Sequence, residues 1–276
     1  MRILPELIMF DLDGTILQAD HKTISEETWQ TLRQFVDRGV PLAINTGRCA
    51  NIIPFEIFPS ITYTITCNGA CILDSQKRVL RSNYISEENL RAAWKVIKKY
   101  NVIMQLFSDQ DIIMERKVLQ NLFYYSQILP GFHMHYLQKG VAKEIEDFEK
   151  SVSDGMNRIT KINFPGRAIE HAPALKRELE DLQLFELTSD GYNLEATVKA
   201  CNKGSALSWI CDTFGIDREN VAAFGDGTND ISMLRGLRWG VAMGNASEIV
   251  KEAASYIAES NTENGVARFL RRKFGD

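Results

Sequence analysis

Residues Phe10–Thr15 read Phe-Asp-Leu-Asp-Gly-Thr and follow directly on the apolar run Leu7–Phe10. An apolar run before an acidic turn predicts a buried strand that ends there. Asp11 and Asp13 therefore come at the carboxyl end of a strand, which is where open α/β sheets bind their ligands. Gly14 allows backbone N–H groups to approach an anion closely. Without further support the pattern predicts only an acidic turn, because Asp and Gly are common turn residues.

Two carboxylates at this spacing suit phosphoryl transfer. One can attack phosphorus and form an acyl phosphate, while the other passes a proton to the leaving oxygen and then activates water. The reaction also needs a hydroxyl and a cation that hold phosphate oxygens, and further acids that hold Mg²⁺. Later segments of the chain supply these groups: Thr46-Gly47-Arg48, Lys203, and Asp226 with Asn229 and Asp230.

The two ends of the chain predict the same architecture. Strands are expected at 40–44, 61–66 and 221–224, with short strands at 239–242 and 256–258. The periodic apolar residues of segment 203–214 predict a helix that begins at Lys203 and ends before Gly215. This alternation of strands and helices predicts an α/β fold, a Rossmann-like parallel sheet covered by helices on both faces.

The middle of the chain has a different pattern. Ser86 precedes a predicted helix, and paired strands are expected at 104–107 with 112–115 and at 185–188 with 192–195. Asp190-Gly191 is a strong hairpin signal. The sequence therefore predicts an inserted α+β domain over residues 82–194, and a core domain formed by residues 1–81 and 195–276.

Composition excludes several classes of protein. The chain has 276 residues and a net charge of −4, so no basic surface field is expected and no nucleic-acid partner is predicted. Since there is no apolar run of about 18 residues and no signal-peptide pattern, we expect neither a membrane span nor secretion. The five cysteines are odd in number and show no CxxC spacing, which argues against a disulfide framework or a zinc site. A cytoplasmic location is expected.

The four segments in order resemble the motifs of the haloacid dehalogenase superfamily, and most closely those of its Cof-type phosphatases. The first motif matches Asp11–Thr15, the second Thr46, the third Lys203 and the fourth Gly225–Asp230. Three further segments resemble features of that subfamily: Asn68-Gly69-Ala70, Met243-Gly244-Asn245-Ala246 and Gly265-Val266-Ala267. The resemblance covers essentially the whole chain, and the insert resembles the large cap of the C2 type.

The resemblance implies a role for each matching residue. Asp11 would be the nucleophile and Asp13 the general acid and base. The groups that would hold the phosphoryl oxygens are Thr46, Gly47, Lys203 and Asn229. The ligands of the Mg²⁺ cofactor would be Asp11, Asp226 and the backbone carbonyl of Asp13. Asp230 would support these ligands without binding the metal itself. Candidates for substrate contacts are Arg48 and Asn68.

The predicted activity is hydrolysis of a small phosphorylated metabolite, such as a sugar phosphate or a similar phosphomonoester. A phosphomutase or phosphotransferase remains an alternative, since it uses the same aspartyl-phosphate and hands the phosphoryl group to another hydroxyl. A non-enzymatic phospho-aspartate receiver is a third hypothesis, against which Asp13 and the large insert argue. The sequence leaves the substrate and the oligomeric state open.

Overall fold

The computed structural model describes residues 4–100, 102–109, 111–120, 142–153, 156, 158–165, 172–189 and 193–275. The chain divides into two compact units. The first is formed by Met1–Gly47, Pro54–Arg81 and Asn202–Asp276, and the second by Arg48–Ile53 and Ser82–Cys201.

Strands and helices alternate in the first unit and are mixed in the second. The strands are β1 (Leu7–Phe10), β2 (Leu42–Asn45), β3 (Tyr63–Thr66), β4 (Cys71–Asp74), β5 (Val79–Ser82), β6 (Gln105–Ser108), β7 (Ile112–Glu115), β8 (Ala142–Ile145), β9 (Ile159–Pro165), β10 (Phe185–Ser189), β11 (Asn193–Val198), β12 (Val221–Gly225), β13 (Trp239–Ala242) and β14 (Tyr256–Ile257). The helices are α1 (Glu26–Asp37), α2 (Glu87–Ile97), α3 (Arg116–Gln120), α4 (Phe148–Ser153), α5 (Ala172–Asp181), α6 (Lys203–Phe214), α7 (Ile231–Leu234), α8 (Glu248–Ala253) and α9 (Gly265–Phe274).

The sheet of the first unit has the strand order β14-β13-β12-β1-β2-β3-β4-β5. Every pair from β14 to β3 is parallel, which confirms the predicted parallel sheet. β4 pairs antiparallel with β3 and extends the sheet toward its edge strand β5. These two strands were not predicted, because a four-residue strand near an edge carries too little alternation to be told from a loop.

Helices cover both faces of this sheet. Leu7 and Met9 pack with residues of α6, α7 and α8 on one face. On the other face Phe224 of β12 meets Phe269 of α9, with ring centroids 5.5 Å apart, and Phe35 of α1 meets Phe274 of α9. All four residues of β1 are fully buried, as expected for a strand with both faces covered.

Helix α6 has the bounds that its sequence predicts, because both ends are capped locally. The Asn202 side chain accepts a hydrogen bond from the N–H of Ser205, and Gly215 ends the helix at a φ of +68°. The helix therefore begins at Lys203, and the position of that lysine is set by the cap rather than by its own side chain.

The second unit contains a sheet of order β10-β11-β9-β6-β7-β8, antiparallel except for the pair β7–β8. Helices α2, α4 and α5 pack on it through one apolar cluster, with members such as Leu90, Phe148 and Leu175. Both predicted hairpins are present, although the turn Asp190-Gly191 lies outside the described residues. The predicted boundary at residue 194 falls inside β11. Because β11 pairs with β9 and β10, the second unit extends to Cys201.

Among the described residues, no helix is long and apolar enough to cross a lipid bilayer. The five cysteines are all buried.

Candidate active site

The order of the strands brings several predicted site residues together at the carboxyl ends of the first unit's parallel strands. β12, β1 and β2 are parallel neighbours, so their carboxyl ends lie side by side. Asp11 follows β1, Thr46 follows β2 and Asp226 follows β12. The backbone confirms this alignment, since the N–H of Asp11 donates to the carbonyl of Phe224 at 3.0 Å.

Lys203 is the centre of a buried charge cluster. Its ammonium nitrogen lies 3.0 Å from Oδ1 of Asp11 and 2.7 Å from Oδ1 of Asp230, and the lysine is fully buried. One carboxylate oxygen each of Asp11, Asp226 and Asp230 lie within 4.8 Å of one another. The cluster thus contains three carboxyl groups and one ammonium group.

Hydrogen bonds from the surrounding loops orient the acids. The Thr15 hydroxyl donates to Oδ1 of Asp226 at 2.7 Å. Oδ2 of Asp230 accepts from the backbone N–H groups of Asp226 and Gly227 at 3.0 and 2.9 Å. The amide of Asn245 donates to the carbonyl of Gly14 at 2.8 Å. Neither Thr15 nor Asn245 is a predicted site residue, although both lie within segments that resemble the family's motifs.

The carboxylate of Asp13 lies outside this cluster of three acids. Its Oδ1 is 2.8 Å from Nδ1 of His21, and both side chains are partly exposed to solvent. The predicted link between Asp13 and the metal uses its backbone carbonyl and does not require its carboxylate to join the cluster. Only the tertiary structure identifies His21 as a neighbour of Asp13.

Thr46, the residue of the second motif, is buried, and the residue before it contacts the backbone of Lys203. Thr46 is 1% exposed, and its N–H donates to the carbonyl of Ile65 at 3.0 Å. The preceding Asn45 donates from Nδ2 to the backbone carbonyl of Lys203 at 3.0 Å. This bond ties the end of β2 to the start of α6. Gly47 is half-buried and is the last residue of this segment in the first unit.

Two further predicted residues have different surroundings. Asn68 is 2% exposed, and its Oδ1 accepts a hydrogen bond from Nδ2 of Asn229 at 3.0 Å. Arg48 is buried, belongs to the second unit and donates from a guanidinium nitrogen to the carbonyl of Ile52 at 3.2 Å.

Burial and the neighbouring charges shift the pKa values of the cluster. Burial raises the pKa of Asp11 well above its usual range, opposed by the Lys203 ammonium and reinforced by Asp230 and Asp226. Burial, with the charge of Asp230, raises the pKa of Asp226 to about 7. Burial alone would lower the pKa of Lys203, but Asp11 and Asp230 outweigh it and raise that pKa. A hard divalent cation prefers carboxylate oxygens as ligands, and this cluster has three carboxyl groups but only one ammonium group. These residues therefore fit Mg²⁺.

The pKa of Asp226 predicts a metal-dependent stability profile. The folded pKa of about 7 exceeds the value of 3.8 that an unperturbed Asp side chain has, so the native state binds this proton more tightly than the unfolded state. The contribution of Asp226 is therefore greatest below pH ~4 and is lost as the pH rises through ~7, at up to about 1.4 kcal/mol per pH unit. Millimolar Mg²⁺ should raise Tm more at about pH 8 than at about pH 5.5. Thermal unfolding with and without Mg²⁺ tests this.

The matched variant is Asp226→Asn, which cannot ionise. The Mg²⁺-dependent rise in Tm should be much smaller in this variant at both pH values. An equal Mg²⁺ effect at both pH values in the wild-type protein would contradict the prediction.

A substitution at Gly14 should also disturb the carboxylate of Asp226. Gly14 has a φ of +72°, and a Cβ there would lie within 2.7 Å of the Asp226 Cγ. Gly14→Ala should therefore displace the carboxylate and weaken Mg²⁺ binding about tenfold or more, in addition to the cost of the backbone conformation. Gly236→Ala is the control, because Gly236 has a φ of +76° and nothing within 4 Å of the added Cβ. Isothermal titration with Mg²⁺ should detect the loss in Gly14→Ala alone; equal affinities would refute it.

Fold and site together define a phosphoryl-transfer enzyme with an α/β core and an acidic, lysine-containing centre at the carboxyl ends of its strands. A family model of haloacid dehalogenase-like hydrolases matches residues 8–270. The chain belongs to this family, which confirms the resemblance to Cof-type phosphatases.

Known relatives agree with the family. The chain is 30% identical over 271 residues to a 5-amino-6-(5-phospho-D-ribitylamino)uracil phosphatase of Bacillus subtilis, covering 96% of this chain and 94% of the relative. Among solved structures, a haloacid dehalogenase-like hydrolase from B. subtilis has a TM-score of 0.80 and 27% identity, covering 96% of this chain and 99% of that one. A subclass IIB sugar phosphatase of the superfamily has a TM-score of 0.77 and 25% identity, covering 96% and 98%. The protein is an enzyme, a phosphatase.

Proposed function

We propose that this phosphatase hydrolyses small phosphorylated metabolites, with Mg²⁺ as cofactor and an aspartyl-phosphate on Asp11 as intermediate. The observation that supports this most strongly is the buried Lys203 ammonium between Asp11 and Asp230, with Asp226 beside them. A buried cation that contacts a carboxylate at a strand end is placed to hold the charge of a phosphoryl group next to a nucleophile.

In this reaction Asp11 and Asp13 have different tasks. An oxygen of Asp11 forms a bond to phosphorus, and the bond from phosphorus to the ester oxygen breaks. Asp13 gives its proton to that leaving oxygen, and later takes a proton from the water that cleaves the acyl phosphate. The partial exposure of the Asp13 carboxylate suits a group that exchanges protons with substrate and water.

The phosphoryl oxygens need partners that carry hydrogen or positive charge. Lys203, the Thr46 hydroxyl, the Gly47 backbone and the Asn229 amide are the proposed partners. Thr46 and Gly47 follow β2, and Asn229 comes shortly after β12. Because β2 and β12 both lie next to β1 in the sheet, the strand order supports a common target for these groups. Asp230 holds the Lys203 ammonium and the backbone of Asp226 in place.

The proposed residues for Mg²⁺ are Asp11, Asp226 and the backbone carbonyl of Asp13, with Asp230 behind them. When bound, Mg²⁺ would offset the repulsion between an anionic nucleophile and an anionic phosphate. The raised pKa values of Asp11 and Asp226 support this assignment, because burial and then the neighbouring carboxylates disfavour their charged forms, and a bound cation would offset that cost.

The substrate class is proposed from the relatives and the domain organisation. The names of two relatives describe a ribityl phosphate ester and a sugar phosphate as substrates. We propose a phosphorylated sugar or polyol, or a similar phosphomonoester, for this chain. The inserted part of the second unit, Ser82–Cys201, is proposed as the cap that selects among such esters.

Chelation tests the metal and the reaction type together. EDTA should abolish hydrolysis of p-nitrophenyl phosphate and of a panel of sugar phosphates, and excess Mg²⁺ should restore it. Asp226→Ala should need at least about tenfold more Mg²⁺ for half-maximal rate, since one anionic ligand is lost. Release of inorganic phosphate, measured beside the organic product, separates hydrolysis from a mutase reaction. Full activity in excess chelator, or an isomeric phosphate ester as the main product, would overturn the proposal.

A further inference from the structure

The loop that follows β3 has an unusual backbone. Three consecutive residues have positive φ values: Cys67 at +50°, Asn68 at +56° and Gly69 at +102°. Non-glycine residues adopt this left-handed region rarely, and asparagine does so more readily than most. Such segments persist where surrounding contacts hold them, and they cluster at functional sites. The proposed mechanism gives this loop no task.

The loop touches three of the four motif segments. The N–H of Asn68 donates to the carbonyl of Thr46 at 3.0 Å, and its side-chain oxygen accepts from the amide of Asn229 at 3.0 Å. A Cβ on Gly69 would lie within 2.7 Å of the backbone carbon of Asn202, the residue that caps the helix beginning at Lys203. The backbone of the loop is thus packed directly against that helix start.

The bond to Asn229 orients a proposed phosphate ligand. The Asn229 amide carries two hydrogens. When one hydrogen is held by the Asn68 oxygen, the amide plane is set and the second hydrogen remains available to an anion. Because Asn68 is 2% exposed and its side-chain oxygen already accepts this bond, its side chain is engaged within the site rather than presented to solvent.

We infer that Asn68 is a positioning residue, which acts on the phosphate through Asn229 and Thr46 instead of contacting the variable part of the substrate. The inference rests on the proposed function, because it takes Asn229 and Thr46 as phosphate-binding groups. The backbone and the side chain of Asn68 have separate roles. The left-handed backbone lets the loop reach Thr46 and Asn202, while the side-chain oxygen holds Asn229.

The variant Asn68→Gly separates these roles, because glycine adopts the left-handed backbone and lacks the oxygen. It should raise the inhibition constant for inorganic phosphate and lower kcat/KM by about 5- to 20-fold, the effect of one lost hydrogen bond to a binding group. The loss should be equal for p-nitrophenyl phosphate and for alkyl phosphates. Lys77→Gly is the control, since Lys77 also has a positive φ, of +61°, in a turn apart from the site.

A double-mutant cycle with Asn229→Ala completes the test. If Asn68 acts through Asn229, the double variant should be no worse than Asn229→Ala alone, provided that Tm shows all variants to be folded. Multiplying losses would overturn the inference, and so would a loss confined to one class of ester, which indicates direct substrate contact. A wild-type phosphate inhibition constant in Asn229→Ala would instead overturn the proposed role of Asn229, and with it the basis of the inference.

Discussion

Asp11→Asn should lower kcat by at least about 10³-fold, the scale seen when a nucleophile is removed. The amide has nearly the same shape as the carboxylate, but it cannot form an acyl phosphate. Turnover of p-nitrophenyl phosphate at saturating Mg²⁺ measures the loss. Acid-quenched wild-type enzyme should carry a phosphoryl group on the peptide that contains Asp11, and the variant should carry none.

The fold should survive this change. Asp11 and Asp230 share the Lys203 ammonium and Asp226 lies close to both acids, so removal of one charge relieves repulsion and Tm should not fall. Asp20→Asn is a matched control on the same segment, because Asp20 is exposed and bonds the backbone of Lys22 and Thr23. Its activity should equal that of the wild-type enzyme. An Asp11→Asn variant that keeps more than a few per cent of wild-type kcat would refute the assignment of the nucleophile.

Lys203→Met should reduce both stability and activity. Two carboxylates, of Asp11 and Asp230, would remain buried without their cation, and removal of one partner from a buried ion pair costs about 3–5 kcal/mol. The loss of the ammonium group that we propose holds the phosphate should lower kcat/KM by about 10²- to 10³-fold. Urea unfolding at neutral pH and steady-state kinetics measure the two effects.

A second substitution separates stability from chemistry. The double variant Lys203→Met/Asp230→Asn also removes one of the two buried carboxylates that lose their cation. This variant should recover part of the lost free energy of unfolding, while its activity stays low. Lys251→Met is the surface control, since that lysine pairs only with exposed Glu248 among the interactions described, and such pairs contribute at most about 1 kcal/mol. If Lys203→Met were as stable as the control, the buried cluster would not have the energetic role assigned to it.

Prediction from the sequence succeeded where the signal was local. The apolar run of Leu7–Phe10 is buried on both sides and forms a strand with those bounds. Helix α6 also has its predicted bounds, because Asn202 and Gly215 supply both caps from within the segment. The sequence alone therefore places Asp11 directly after a strand and Lys203 at the start of a helix.

The sequence by itself thus determined the α/β class, the core elements and the residue types available for phosphoryl transfer. Only the tertiary structure decided which of these residues meet. Thr15 bonds Asp226 across 211 positions of the chain, and Asn229 bonds Asn68 across 161. Likewise, the pairing of β11 with β9 places β11 in the second unit, which extends to Cys201. The physical reason is the range of the signals: periodicity and caps act within one element, whereas the order of the strands, and so every contact between their ends, depends on how the whole sheet packs.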